Sequence, residues 1–198
     1  YFDDRHGGED ADAVRVVGTE RVTGVDFGLV QGSSISGTVT DIDTGLPVRN
    51  LELGAGPVNR GQVSWTRTDP NGNCTLKGLP QGLMDVEIRG GEYVKQRKTV
   101  RVTEKLESGQ DFSVQRGASI SGRVADGGTG EPIANMDVEA RDENGSHITG
   151  TRTGSDGEYV LRGIPDRLIE VEVRGQGYVE VRKVVTVRDG QDIANLDF

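Results

Sequence analysis

The sequence predicts an all-β protein made of tandem seven-stranded β-sandwiches, and three observations carry that expectation. One phrase is written twice: "TDPNGNCTLKGLP" begins at Thr68 and "TGSDGEYVLRGIP" at Thr153. Apolar residues alternate with polar ones in short runs, the period of a strand with one buried face, and no segment of useful length has helical periodicity. Glycine is abundant, 30 of 198 residues. It lacks the every-third spacing of collagen, and it stands among clean apolar alternation that disordered chains do not show. Many turns between short strands remain as the explanation.

The duplication has one register over most of its length. Ile35-Ser36-Gly37-Thr38-Val39 recurs as Ile120-Ser121-Gly122-Arg123-Val124, an offset of 85, and Thr44-Gly45-Leu46-Pro47 recurs as Thr129-Gly130-Glu131-Pro132. Gly72, Leu76, Gly78 and Pro80 map onto Gly157, Leu161, Gly163 and Pro165, and Tyr93 maps onto Tyr178. The offset becomes 86 at Asp111-Phe112 against Asp197-Phe198, a slip that falls in a surface turn, where length changes are tolerated. A partial third copy precedes these: "VRV" at Val14 matches "VRV" at Val100, and Asp26-Phe27 matches Asp111-Phe112. Residues 1–31 therefore read as the end of a preceding repeat or as an inter-subunit docking segment. Repeats follow at 32–116 and 117–198. The chain opens at Tyr1 without Met, as a processed chain or a window on a longer one would.

Alternation then places each strand. In the first repeat the inward positions are Ile35 with Val39, Leu51 with Leu53, Val63 with Trp65, Cys74 with Leu76, Val86 with Ile88, Val100 with Val102, and Phe112 with Val114. The second repeats them through Ile120 and Val124, Met136 and Val138, Ile148, Tyr159 and Leu161, Val171 and Val173, Val185 and Val187, and Phe198. Asn71-Gly72 and Asp156-Gly157 are expected to form two-residue type I′ hairpin turns, whose central positions need positive φ. Gly-Leu-Pro and Gly-Ile-Pro then stop the next strand, because proline donates no ladder hydrogen bond.

The stretch "SISGTVTDIDTGLPV" followed by "TRTDPNGNCTLKGLPQG" resembles the carboxypeptidase regulatory-like domain. The shared features are a Gly-x-Val strand, a Thr-Gly-x-Pro loop, an Asp-Gly-x-Tyr hairpin and a Gly-Leu-Pro-x-Gly turn. The resemblance covers both whole repeats and implies Ig-like, prealbumin-like sandwiches. Its departures are Arg167 where the first repeat keeps Gly82, and Cys74 in place of the hairpin aromatic. Such domains serve as spacers and stalks in prokaryotic secreted proteins, and as accessory modules beside peptidases. The related collagen-adhesin B-type domains often carry a Lys–Asn isopeptide bond. Here the first strands carry Thr38 and Arg123 in place of Lys, and Asn195 near the last strand has no matching Lys, so no crosslink is expected.

The remaining chemistry is sparse. A net charge of −9 argues against nucleic acid, whose binding rests on Lys and Arg neutralising phosphates. No apolar run of about 18 residues offers a membrane span, and no signal peptide is visible. Cys74 is the single cysteine, so no intrachain disulfide forms. It reads as a small core residue, since a catalytic thiol would want a histidine partner and only His6 and His147 exist. Asp41 with Asp43, Asp69 with Asn71, and Asp126 are candidate calcium ligands, but they lack the convergent oxygens of a calcium loop and read as turn residues. The acidic run around His6 reads as a solvated loop. Trp65 could stack on a carbohydrate, but its alternation with Val63 places it inward. No catalytic, cofactor-binding or metal residue is assigned and no cofactor is expected. The sequence thus points to a non-enzymatic extracellular structural protein in a surface stalk or filament. The alternative is an adhesive or accessory binding module of a larger secreted protein. Val14–Val16 and Val25–Val30 are strand-like, and apolar Phe27 and Leu29 would be left exposed on a lone hairpin. Self-association, head to tail by strand addition through residues 1–31, is therefore expected, unless neighbouring repeats of a longer chain cover them.

Overall fold

The computed structural model describes residues 18–19, 21–26, 28, 30–103, 107–175 and 177–198. Among these, every regular element is a strand. The first repeat contributes β1 (Ser33–Asp41), β2 (Glu52–Pro57), β3 (Ser64–Arg67), β4 (Asn73–Leu79), β5 (Gly82–Gly90), β6 (Tyr93–Val102) and β7 (Phe112–Val114). They form two sheets, ordered β4-β1-β7 and β3-β2-β5-β6. β7 lies parallel to β1, with Val39 opposite Phe112, and the other pairings are antiparallel. The second repeat contributes β8 (Ala118–Arg123), β9 (Asp137–Asp142), β10 (His147–Arg152), β11 (Glu158–Ile164), β12 (Leu168–Arg174) and β13 (Val181–Thr186), ordered β11-β8 and β10-β9-β12-β13.

Each repeat encloses its own core. Ile35, Leu53, Leu76, Met84 and Ile88 fill the first, and Ile120, Leu161, Ile164 and Ile169 the second. The alternation supplies these faces: on β12, Ile169, Val171 and Val173 are buried inward. Burying two opposed apolar faces between sheets is the main driving force available to so small a unit.

The structure departs from the sequence reading in four places. The seventh strand of the second repeat is not a regular strand. Residues 193–198 instead lie extended beside β8. Ser121 N–H donates to the Ile193 carbonyl (2.9 Å), Leu196 N–H to Ser121 (3.0 Å) and Phe198 N–H to Arg123 (2.8 Å). Asn195, in the left-handed region at φ 60°, interrupts the run where the repeat slips by one residue. Val63 and Trp65 point outward, 49% and 52% exposed, because β2 sets the register of β3: Leu53 faces Thr66 and Ala55 faces Ser64. Ser64 and Thr66 thus take the inner side, and Ser64 Oγ accepts the Lys77 amide.

The Asn-Gly and Asp-Gly turns are not type I′ either. Only the glycines, Gly72 (φ 76°) and Gly157 (φ 75°), have positive φ. Gly72 N–H donates to Asp69 and Asp69 N–H to Asn73, which defines a three-residue loop of a type I turn plus a left-handed glycine. The loop also carries the chain from one sheet to the other, since β3 and β4 belong to different sheets. Finally, the described residues of the Val25–Val30 segment form no strand, with Val30 95% exposed. Val14–Val16, Phe27 and Leu29 lie outside the described residues.

Candidate functional site

Two signature loops of each repeat meet face to face. In the first, Asp41 Oδ1 accepts the amides of Asp43 and Thr44 and the Thr44 hydroxyl (3.0, 2.9 and 3.1 Å), and Gly45 turns with φ 68°. This aims Pro47 at Gly72, whose added Cβ would stand 2.5 Å from the Val39 carbonyl oxygen and 3.0 Å from Pro47 Cβ. In the second, Asp126 Oδ1 accepts Gly128 N–H, Thr129 N–H and the Thr129 hydroxyl, and Pro132 packs on Gly157. The Asp-Phe pair near each repeat's end has a parallel role. Asp111 accepts the Thr38 amide (2.9 Å) and Asp197 the Arg123 amide (2.8 Å), while Lys98 and Lys183 sit over the rings of Phe112 and Phe198.

Asp41 also anchors the junction between the sandwiches. Its Oδ2 accepts the Tyr93 hydroxyl (3.1 Å) and Arg116 Nε (3.2 Å). The Arg116 guanidinium lies over the Tyr93 ring at 5.5 Å and reaches Glu92 at 2.6 Å. Main-chain bonds close the clamp: Val94 N–H donates to Gln115 (2.9 Å) and Gly117 N–H to Glu92 (2.8 Å). A Cβ on Gly163 would fall on the Tyr93 carbonyl, so the start of β6 rests directly on the second sandwich. The Thr44 amide, with Arg116 and Tyr93 adding to it against the opposing effect of burial, lowers the Asp41 pKa from 3.8 to about 2. Asp69 and Asp126 are lowered too, chiefly by the main-chain amides of Asn73 and Thr129. A carboxylate with a depressed folded pKa stabilises fully above its unfolded value and loses that contribution as pH falls through the folded one. Thermal stability is therefore expected to hold from neutral pH down to the usual carboxylate range and to fall between about pH 4 and pH 2. Calorimetry across that window should show a shallower fall for Asp41→Asn; an unchanged slope would remove Asp41 as its source.

Beside the junction lies an open cleft of about 900 Å³ between the sandwiches. Arg49, Arg67, Arg89, Lys95, Arg116 and Arg162 line it, with Glu52 and Glu92 as the carboxylates among them. Glu52 is held between Arg67 and Arg89. In a chain of net charge −9 this is a local concentration of cations.

The other sequence candidates are dispersed. Cys74 is buried and its Sγ lies 3.3 Å from the Gly37 carbonyl. Burial pushes its thiol pKa up, the opposite of what a nucleophile needs. His147 belongs to the other sandwich, on the cleft wall, and His6 lies outside the described residues. Asp69 accepts the amides of Asn71 and Asn73, a turn role, and Asp43 donates its own amide to Asp41. Among the described residues no three His, Cys, Asp or Glu side chains group as metal ligands would. Sequence reasoning missed a second feature: Glu87 and Glu172 occupy equivalent outer-face positions yet are 5% and 3% exposed. Lys95 and Arg97 cover the first, and Arg141, Arg174 and Arg182 the second.

Two opposed sheets per repeat, capped Asp loops and glycine-on-proline packing define a tandem prealbumin-like sandwich protein. The family model of the carboxypeptidase regulatory-like domain matches residues 34–115 and again 119–198, and the chain belongs to that family. No curated protein matches it. Similar solved structures include the Bacillus anthracis TIE protein (17% identity, TM-score 0.39, covering 83% of this chain and 33% of that one). A streptococcal ancillary pilin is similar at 13% identity and TM-score 0.39, covering 84% of this chain and 62% of that one. The minor pilin of Streptococcus agalactiae follows at 11% and 0.40, covering 83% and 94%. The chain thus spans a third of the length of the first of these and under two thirds of the second. Among the described residues no helix is long and apolar enough to cross a membrane.

Proposed function

We propose that the chain is a non-enzymatic extracellular structural protein, with repeats 32–116 and 117–198 as successive segments of a rod in a cell-surface stalk or filament. Residues 1–31 are the end of a preceding repeat or a docking segment, and the rod associates head to tail. The observation that supports this most is the junction. Gln115, Arg116 and Gly117 are the whole connection: Gln115 bonds to Val94, Arg116 faces Tyr93 as its bridge partner, and Gly117 bonds to Glu92 just before β6. A linker with no free residues transmits orientation and force from one sandwich to the next, as a spacer must. Arg116→Ala should remove the clamp's ion pairs and ring contact. Small-angle scattering of that variant should show a broader spread of inter-domain angles. A wild-type chain that already shows a broad spread would refute the rod.

A second reading, an adhesive or accessory binding module, draws on the outward Trp65 and the cationic cleft. An acidic glycan titrated while Trp65 fluorescence is followed tests it, and an unshifted spectrum would retire it.

A further inference from the structure

The carboxylates around the cleft do not account for all of its cations. Glu52 holds Arg67 and Arg89, Glu87 holds Lys95, and Asp41 and Glu92 hold Arg116. Arg49 and Arg162 are exposed, and among the described residues neither side chain forms a hydrogen bond or an ion pair. Arg49 follows Val48 in the first sandwich, and Arg162 stands on the outward side of β11 in the second. Two uncommitted guanidiniums therefore line one cleft from different sandwiches. The second sandwich also contributes Thr149 and Gly150 of β10 to the wall, residues that fill little of it. An aromatic ring lies at the rim. Trp65 and Arg67 leave the same outer face of β3, about 7 Å apart along the strand, and Arg67 already lines the cleft. The indole is 52% exposed, and its Nε1–H donates to Gln62 Oε1 at 2.8 Å. Gln62 in turn lies over Gly54, the partner of Trp65 on β2, where an added Cβ would strike the carboxamide. The ring is thus fixed by its polar edge while half of it stays open to solvent.

We infer that the cleft takes a linear anionic polysaccharide, its acidic groups held by Arg49 and Arg162 and a neighbouring sugar ring stacked on Trp65. This rests on the second reading above, the binding module, and names its ligand class and the residues that hold it. A guanidinium presents parallel N–H donors that match the oxygens of a carboxylate or a sulfate ester. A sugar ring offers weakly positive C–H groups to the negative face of an indole. An open cleft of about 900 Å³ is near the upper end for ligand sites, and its two ends suit a chain that passes through. A protein partner would need an apolar anchor in a pocket at the centre of its contact. Here the apolar residues Val48 and Leu51 of the lining are buried in the first core, and what the cleft presents is charged and polar.

The test is calorimetric titration of the full chain at low ionic strength with hyaluronan, dextran sulfate, neutral dextran and poly-glutamate, with Trp65 fluorescence followed in parallel. Hyaluronan, dextran sulfate or both are expected to bind and to shift the emission, and neutral dextran to do neither. The tighter of the two acidic polymers identifies carboxylate or sulfate as the recognised group. Arg49→Gln and Arg162→Gln should each weaken that binding about tenfold, the loss of one charge-assisted hydrogen bond. Both should keep the wild-type melting temperature, since neither side chain has an ion-pair partner to lose. Acidic glycans that bind with a shifted Trp65 spectrum but are weakened by neither arginine variant would leave a binding module and overturn this site. Neutral dextran binding as tightly as the acidic polymers would do the same. Poly-glutamate binding as tightly as either glycan, and weakened by both variants, would make an acidic peptide the occupant and overturn the polysaccharide. No binding by any of the four overturns the inference together with the binding-module reading, while leaving the stiff two-sandwich rod to the scattering test.

Discussion

Gly157→Ala is expected to destabilise the second sandwich by about 2–4 kcal/mol, and Gly72→Ala the first by a similar amount. Two costs combine. An alanine held at φ 75° loses about 1 kcal/mol to left-handed backbone. Its Cβ also strikes the Val124 carbonyl oxygen and approaches Pro132. That carbonyl accepts the Ile133 amide (3.0 Å), and the Gly157 carbonyl accepts the Val124 amide (2.9 Å). Retreat of the turn therefore stretches the two hydrogen bonds by which Val124, just past β8, holds Ile133 and the turn itself. In a domain of this size each kcal/mol moves the melting temperature by roughly 4–8 °C, so a drop of about 10–25 °C is expected. Gly130→Ala is the internal control. Its φ is 76°, but a Cβ there meets nothing within 4 Å, so only the backbone cost of about 1 kcal/mol applies. Equal losses at 130 and 157 would show that the close approach to Val124 and Pro132 contributes nothing.

The signature residues were legible as punctuation before they were legible as packing. Alternation located the strands and nearly all inward positions, because a half-buried strand exposes its period of two directly. It could not decide which side of β3 faces the core. Val63-Ser64-Trp65-Thr66 alternates in either sense, and the partner strand chose the polar pair. The repeat itself held a signal: Gly150 occupies the position of Trp65 in the second unit, a replacement that a core indole would not survive without a large void. The turn type was legible too, through Pro70. Its fixed φ of about −65° suits the first central position of a type I turn, so the left-handed residue is delayed to Gly72. The Glu172 cage was readable only in direction. The side chain does leave the outer face of the sheet, but three arginines from β9, β12 and β13 then cover it. The Asp41–Tyr93–Arg116 clamp left no local trace, because its members lie on a strand end, the start of another strand and the linker. Only the fold brings them together.

Tyr159→Ala is expected to cost the second sandwich about 3–4 kcal/mol, in the range of buried aromatic truncations, whereas Tyr159→Phe should cost about 1 kcal/mol. The ring is 3% exposed and packs beside Phe198 at a centroid distance of 6.3 Å. Its hydroxyl donates to the Leu196 carbonyl at 2.6 Å. It therefore clips residues 193–198 onto β8, the segment that failed to become a regular strand. The first sandwich has Cys74 at this position, and its last strand, β7, pairs with β1 along Val39–Asp41. Cys74→Ala should accordingly lose only about 1 kcal/mol. Burial, reinforced by the charge of Asp197, raises the Tyr159 hydroxyl pKa above its usual value of 10. The folded state holds it neutral, so its contribution is complete below about pH 10 and fades as pH rises beyond that point. Phe at 159 should flatten the alkaline limb of the stability profile. Releasing the segment also unpairs one edge of β8, and a bare edge strand invites association. Hydrogen exchange at the Ser121 amide, which donates to Ile193, reports that release directly. Faster exchange in Tyr159→Phe with the core amides of β12 still protected is the expected pattern. Uniform loss of protection across both sheets would mean that the hydroxyl supports the whole sandwich and not its last segment.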